Sequence, residues 1–381
     1  MTETAAMIRV VLFDCIADVP APDWDRLAAN GSLTQSRAFW QVIERAGLND
    51  FRYRHAVLYG ADGRALALAS FYTVTTDLAI FAPPLLRTLL GGIRRILPGF
   101  LKVRMLECGT PLNINPPVVC GEPAQESEII AALDRLLLGE ARRQRAFINV
   151  VRDFQPSASG LLAAFEARGY CAVNSLPNTH LDVTWDSIDA YRAAMKSYFR
   201  SKLDRHLRRN REQGVHHRMV EDFGSLAETL CRQWLVVHNQ ADEYQREVLT
   251  PDFYRGFAAL PGDTTRALLF YRGDALVGHA LLLLDGDLLR WMYFGRERAG
   301  NDSLYIYVGH AVIESAILLG AARIELGVTT YAVKRDLGAR LNPVRMALKS
   351  RHRLVNPFIR HMYPVLNRTP QPADKDVFKQ S

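Results

Sequence analysis

Four residues in the second half of the chain carry side chains suited to moving a proton. Glu325 lies on a short apolar run, 322–326, whose neighbours would raise a carboxyl toward the pKa of a useful base. His279 follows Gly278 on a longer apolar run, 275–284, and imidazole titrates near neutrality. Tyr331 and Lys334 are three residues apart, about one helical turn, and a lysine so placed can hold a phosphate or a developing oxyanion. Each has a plainer reading beside it: an arginine's ion-pair partner for Glu325, a hydrogen-bonded core histidine for His279, a packed tyrosine for Tyr331 and a solvated lysine for Lys334. Glu107, closing an apolar stretch in the first half, is a reserve candidate.

Other chemistries find no support. The five cysteines, Cys15, Cys108, Cys120, Cys171 and Cys231, contain no C-x-x-C pair, so neither a disulfide framework nor a zinc site is expected. Cys108 has no evident histidine partner. No H-E-x-x-H, P-loop or G-x-G-x-x-G sequence occurs, and no metal is expected.

Charge is distributed unevenly. The 381 residues carry a formal net charge of +7. Residues 187–220 hold nine Lys/Arg and three acids, and residues 330–381 hold eleven and three. These two segments are therefore +6 and +8, and the remaining chain is −7. Such segments favour a phosphate-rich ligand, although a solvated helix face gives the same pattern. Nothing resembles a helix-turn-helix or zinc finger, so sequence-specific DNA binding is not expected.

The elements that must position these residues alternate between strand and helix. Strands are expected at 8–14, 53–59, 65–75, 103–108 and 147–151, with a helix at 126–144. The second half repeats the order: a helical stretch at 188–213, strands at 215–220, 266–271, 275–284 and 288–294, a helix at 304–319 and a short strand at 322–326. The two halves read as divergent copies of one α/β unit, the first lengthened by an insertion within about 76–120. Within it, 85–105 is apolar and carries Arg87, Arg94, Arg95, Lys102 and Arg104 without an acid. A basic amphipathic segment of this kind suits an anionic membrane surface, or a partly buried helix with solvated arginines. No secretory signal and no spanning stretch of about 18 apolar residues is seen, so a cytoplasmic location is expected, with peripheral contact at the inner membrane face through 85–105 as an option.

The stretch 288–348 reads strand (LLRWMYF), loop (GRERAGNDS), helix (LYIYVGHAVIESAILLG), strand (ARIELG), turn (VTT), then YAVKRDLGARLNPVRMAL. It resembles the acyl-CoA N-acyltransferase (GNAT) superfamily, and more narrowly its two-lobed FemAB-like branch. In that branch a Gly and a Tyr-x-x-Lys-type helix follow the last strand, here Gly327, Tyr331 and Lys334, with Gly338 closing the helix. The opening Asp18-Val-Pro-Ala-Pro-Asp-Trp-Asp-Arg-Leu, then Ala38, Phe39 and Glu44, is similar to that branch as well.

The resemblance implies an α/β fold of tandem GNAT-like lobes with mixed sheets: an N-terminal lobe at 1–185, a catalytic lobe at 186–350 and a basic tail at 351–381. It implies two splayed strands, 288–294 and 322–326, that hold a thioester carbonyl. It implies a donor phosphate site at the following helix N-terminus, through Arg296, Arg298, Gly300, Asn301 and Ser303, with Arg205, Arg208 and Arg209 as further phosphate ligands. Tyr331 would protonate the leaving thiolate. The family's glycine-rich phosphate loop is reduced here to one glycine, Gly300. The implied function is N-acyl transfer from acyl-CoA to a primary amine, of long-chain or sphingoid type. Aminoacyl transfer from charged tRNA and non-catalytic acyl or lipid binding are the alternatives. The donor is a co-substrate, and no permanently bound cofactor is implied.

Overall fold

The computed structural model describes all residues except 1–7, 30, 78–91, 98, 101, 122–124, 241–246, 299, 301–302, 353, 367–374 and 380–381. It divides into two compact units, one of residues 1–176 with 343–369 and one of 177–342 with 370–381.

In chain order, the first unit supplies β1 (Arg9–Phe13), β2 (Arg52–Tyr59), β3 (Ala65–Asp77), β4 (Lys102–Cys108), β5 (Val118–Cys120), β6 (Ile148–Phe154) and β7 (Cys171–Asn174). The second supplies β8 (Asn178–Asp182), β9 (Val215–Val220), β10 (Thr265–Arg272), β11 (Ala275–Asp285), β12 (Leu288–Arg296), β13 (Arg323–Glu325) and β14 (Arg340–Asn342). The chain then returns to the first unit with β15 (Arg345–Ser350). The first sheet has the order β1-β2-β3-β4-β6-β15-β7, with β5 paired to β3; the second has the order β14-β8-β13-β12-β11-β10-β9.

Read from opposite ends, the two orders match strand for strand, so the expected duplication holds. Each sheet has four antiparallel strands, then a parallel neighbour (β4 with β6, β12 with β13). Next comes a strand from the other half of the chain: β15 inserts between β6 and β7, and β8 between β13 and β14. The exchange corrects the expected boundaries. The break falls at 176/177 rather than 185/186. Residues 345–350 complete the first sheet, and the following helix, Val355–Leu366, belongs to the first unit rather than to a tail. The β3–β4 connection runs from Asp77 to Lys102, whereas its counterpart between β11 and β12 is the tight turn at Gly286-Asp287, which locates the insertion. Of the expected segment 85–105, residues 85–91, 98 and 101 lie outside the described residues; 92–96 is helical.

In the first unit, helices Glu126–Arg143 and Ser159–Glu166 bury Ile130, Leu133, Leu137, Leu162 and Phe165 against Leu106 and Val151 of the sheet. Glu126 and Glu128 open the longer helix while Arg142 and Arg143 close it, each sign facing the favourable end of the dipole. In the second unit, helix Leu304–Leu318 is apolar nearly all round, and its Val308, Ala311, Val312 and Ile313 are fully buried. Helix Ser197–Glu212 instead buries one narrow stripe, Leu203, Leu207 and Asn210, and turns Arg205, Arg208, Arg209 and Arg211 outward. Buried positions spaced by four and three residues make this basic stretch a docked helix despite its charge.

Candidate active site

The two parallel strand pairs end differently. In the first unit β4 and β6 stay paired to Cys108, the last residue of β4. In the second, β12 and β13 pair over only three residues, ending at Arg290 opposite Glu325. Strand β12 then runs on through 291–296, beyond the end of β13. The divergence begins at Met292, an extra residue that interrupts the register between Leu281 opposite Tyr293 and Leu282 opposite Trp291. A bulge bends and twists the strand that carries it, which accounts for the parting. The edge so opened presents backbone groups to a ligand rather than to a strand, as polarising an acyl carbonyl requires.

At the closed end of this opening lie Glu325, Arg290 and Lys334. Arg290 is almost wholly buried; its Nη1 donates to Glu325 Oε2 at 2.8 Å and its Nε to Asp285 Oδ2 at 3.2 Å. Glu325 is thus the ion-pair partner of an arginine, the plainer of its two readings. Lys334, on the helical turn Tyr331–Asp336, is 3% exposed, and its Nζ donates to the carbonyls of Gly327 at 3.1 Å and Val328 at 2.7 Å. Burial lowers its pKa to about 7, a fall that Glu325 partly opposes. A neutral amine has two N–H bonds and one lone pair, and the two carbonyls take both N–H bonds.

The backbone that provides those carbonyls is strained. Gly327, Thr329 and Thr330 have φ of 73°, 66° and 51°. Left-handed backbone at two β-branched residues in succession costs on the order of 1–3 kcal/mol each. Tyr331 starts the next turn, is buried, and its hydroxyl donates to the Pro177 carbonyl at 2.9 Å.

At the open end the helix Leu304–Leu318 begins, its N-cap Ser303 almost wholly buried. His206 Nδ1 lies 3.0 Å from Ser303 Oγ, and Asn210 Nδ2 donates to the Ser303 carbonyl at 3.1 Å. The basic helix is therefore pinned to the end of the helix that favours anions. Arg205 and Arg209 lie close enough to His206 to lower its pKa, after burial and Lys202. Arg205, Arg209 and Ser303 thus come together. Arg208 is exposed on the same helix, Arg298 and Gly300 are exposed in the preceding loop, and Arg296 is half-buried at the end of β12. Asn301 lies outside the described residues. His206 and Asn210 were not among the expected residues; their spacing of four on a helix with an apolar stripe is the signal that marks them.

Two candidates stand apart from this opening. His279 is fully buried on β11, with Nδ1 2.9 Å from Gln233 Oε1 and Nε2 3.2 Å from the Tyr254 hydroxyl. Burial lowers its pKa to about 3, so it is a neutral, fully hydrogen-bonded core histidine. Glu107, in the first unit, is buried and accepts from the Tyr72 hydroxyl at 2.8 Å, with Arg152 Nη1 3.7 Å away.

The second basic segment does not form one patch. Lys334 and Arg335 are buried, Lys349 binds Asp134 in the first unit, and Lys202 and Lys375 both take Asp336 in the second. Among the described residues no group of three or more His, Cys, Asp or Glu is placed to hold a metal, and no helix is long and apolar enough to cross a membrane.

Comparison with known proteins agrees with this geometry. Residues 197–335 match the Acetyltransferase (GNAT) domain family. A tandem GNAT protein from the clavulanic acid biosynthesis pathway shares the fold with TM-score 0.55 and 12% identity, over 91% of this chain and 99% of that one. FemX gives 0.54 and 13%, over 86% and 96%. The C-terminal domain of a lysylphosphatidylglycerol synthetase from Agrobacterium fabrum gives 0.53 and 11%, over 89% and 97%. In sequence, the chain is 25% identical over 314 residues to proteins of two Mycobacterium tuberculosis strains named 8-amino-7-oxononanoate synthase 2, and the match covers 80% of this chain. The chain spans only about 40% of the length of those relatives. Residues 197–335 are thus similar to a GNAT domain, and the chain shares the fold of tandem GNAT proteins.

Proposed function

We propose that the protein is an N-acyltransferase that moves an acyl group from an acyl-CoA thioester to a primary amine, with the second unit holding the donor. The observation that carries this is the parting of β12 and β13 after Arg290 and Glu325, beside the helix N-terminus at Ser303. An acyl chain entering there lays its carbonyl along the 291–296 edge and its phosphates toward Ser303, Arg205 and Arg209. Arg296, Arg298 and Gly300, in the segment that joins the two ends, serve the same phosphates.

The amine nitrogen attacks the carbonyl carbon, a C–N bond forms and the carbonyl oxygen takes negative charge, which backbone N–H groups stabilise. Lys334, neutral above about pH 7, accepts the ammonium proton directly or through a water, a role that Glu325 cannot share while Arg290 holds it. Collapse of the intermediate breaks the C–S bond, and Tyr331 delivers a proton to the departing thiolate after exchanging its bond to Pro177. His279, locked between Gln233 and Tyr254, supports β11 rather than the reaction.

A long-chain amine is the acceptor we favour. The M. tuberculosis relatives are named for a product with an amine beside a ketone, and the basic, apolar connection before β4 suits a lipid-like substrate at a membrane surface. The test is thiol release from acyl-CoA in the presence of long-chain amino ketones or amino alcohols, with the amide product identified by mass. No thiol release with any acyl length would overturn the reading.

A second reading, aminoacyl transfer from charged tRNA, is favoured by the exposed Arg205, Arg208, Arg209 and Arg211 beside a loop with one glycine. Binding of tRNA would weaken by orders of magnitude over a modest rise in salt, because many phosphate contacts release counterions. Coenzyme A, with few phosphates, would show a shallow slope.

A further inference from the structure

Among the described residues nine large apolar side chains are exposed, and five of them, Ile96, Leu97, Phe100, Leu354 and Phe358, belong to the first unit. They come from two segments more than 250 residues apart in sequence, the connection before β4 and the start of helix Val355–Leu366. The sheet brings both segments to one end. Strand β4 begins there, and Lys102 N–H donates to the Gly99 carbonyl at 3.0 Å. Next to it Phe147 N–H donates to the Arg104 carbonyl at 2.8 Å, and Ser350 Oγ donates to the Phe147 carbonyl at 3.0 Å. Ser350 N–H then donates to Asn356 Oδ1 at 2.7 Å, which fixes the first turn of the helix.

The helix is two-sided. Val355, Ile359 and Tyr363 pack on Val150, Val173 and Leu348 of the sheet, so Leu354 and Phe358 face away from it, 93% and 61% exposed. Exposed cations border these apolar tips: Arg95, Lys102, Arg145 and Arg360. Near this end Asp77 is paired with the Arg94 guanidinium, and Asp50 accepts from the Thr75 N–H. Apolar tips beside exposed cations match the acyl boundary and the anionic headgroups of a bilayer.

We propose that this end of the first unit docks on an anionic lipid surface, with Ile96, Leu97, Phe100, Leu354 and Phe358 entering the headgroup–acyl boundary and the four cations meeting lipid phosphates. This goes beyond the substrate reading by assigning a partner and by adding the helix at 355–366 to the basic segment before β4. It rests on that reading only for its purpose, delivery of a lipid substrate, and binding is measured without turnover.

The test is co-sedimentation of the full chain with vesicles of phosphatidylcholine mixed with phosphatidylglycerol, against phosphatidylcholine alone. Binding to the anionic vesicles, weakened by salt, is expected. The double substitution Leu354→Glu/Phe358→Glu should reduce it about tenfold or more, and Ile96→Asp/Leu97→Asp should do likewise, with the far-ultraviolet circular dichroism unchanged. Arg95→Glu/Lys102→Glu should remove the preference for phosphatidylglycerol. The proposal is overturned if the wild-type chain sediments equally with both vesicle types or with neither. It is also overturned if both apolar double variants bind like wild type, or if they abolish a wild-type dimer while vesicle binding persists. Thiol release from soluble substrates, measured separately, reports on the acyltransferase reading whichever way sedimentation falls.

Discussion

His206 Nδ1 meets Ser303 Oγ at 3.0 Å, and that contact fixes a basic helix to the residue that opens the helix Leu304–Leu318. Four exposed arginines on the first helix would otherwise be a solvated face; pinned here, Arg205 and Arg209 add their field to a helix N-terminus. Arg205→Glu/Arg209→Glu should raise the KM for the acyl donor about tenfold or more while changing kcat little. Steady-state kinetics at low salt measure the split. An unchanged donor KM would remove these arginines from the site.

Lys334 makes activity depend on pH in a defined direction. Its pKa in the folded chain is lowered to about 7, so the amine loses its proton as pH rises through that value. A neutral base is then available above about pH 7, and kcat/KM should fall on the acid side of it. Lys334→Met should reduce turnover by on the order of 100-fold and abolish that acid limb. An acid limb that survives in this variant would assign the base elsewhere.

The same group sets a stability trend. Between the lowered value and the unfolded value near 10.5 the unfolded chain binds more protons at Lys334 than the folded chain. The penalty for burying the charged amine is therefore complete below about pH 7 and disappears as pH rises toward 10.5. Wild type should gain stability relative to Lys334→Met between pH 7 and pH 9, as denaturant titrations at the two pH values would show.

How much of this was legible in sequence depends on the range of the interaction. The helix at 304–318 and the strand before it follow from local periodicity, and they appear where the sequence puts them. The exchange of β8 and β15 was not legible. Both are short strands, and nothing within 345–350 records that its partners lie at 148–154 and 171–174. The expected 186–350 lobe and 351–381 tail therefore cut across the units, and neither the strand at 345–350 nor the helix Val355–Leu366 was among the expected elements. At the site, residue types and spacing singled out Glu325 and Lys334, yet Arg290, which decides the state of Glu325, sits on another strand and became visible only through register.

Arg290 is also where stability and the site meet. It is 5% exposed and serves two carboxylates, Asp285 and Glu325, whose side chains are themselves 10% and 13% exposed. Removing the cation leaves two buried anions without their partner, a larger fault than removing either acid. Arg290→Met should therefore cost about 3–5 kcal/mol, and Glu325→Gln less, since Arg290 keeps Asp285 and the amide oxygen still accepts a hydrogen bond. Chemical denaturation compares them. If Glu325→Gln instead lowers turnover far more than stability, the carboxylate takes part in the reaction and the proton does not go to Lys334 alone.

Gly295 offers a test of the architecture that leaves the chemistry untouched. It is paired with His279 across β11 and β12, and a Cβ there would come within 2.2 Å of the His279 Cε1 and 2.7 Å of the Trp234 backbone nitrogen. The imidazole cannot retreat, because Gln233 and Tyr254 hold both of its nitrogens. Gly295→Ala should therefore destabilise the second unit by about 1–3 kcal/mol, through overpacking rather than backbone strain. Adding His279→Ala to that variant removes the clashing ring but strands Gln233 and Tyr254, so it should recover only part of the loss. Thermal unfolding of the two single variants and the double variant measures the coupling. Strictly additive effects would mean that the close approach of Gly295 to His279 is not what constrains this strand.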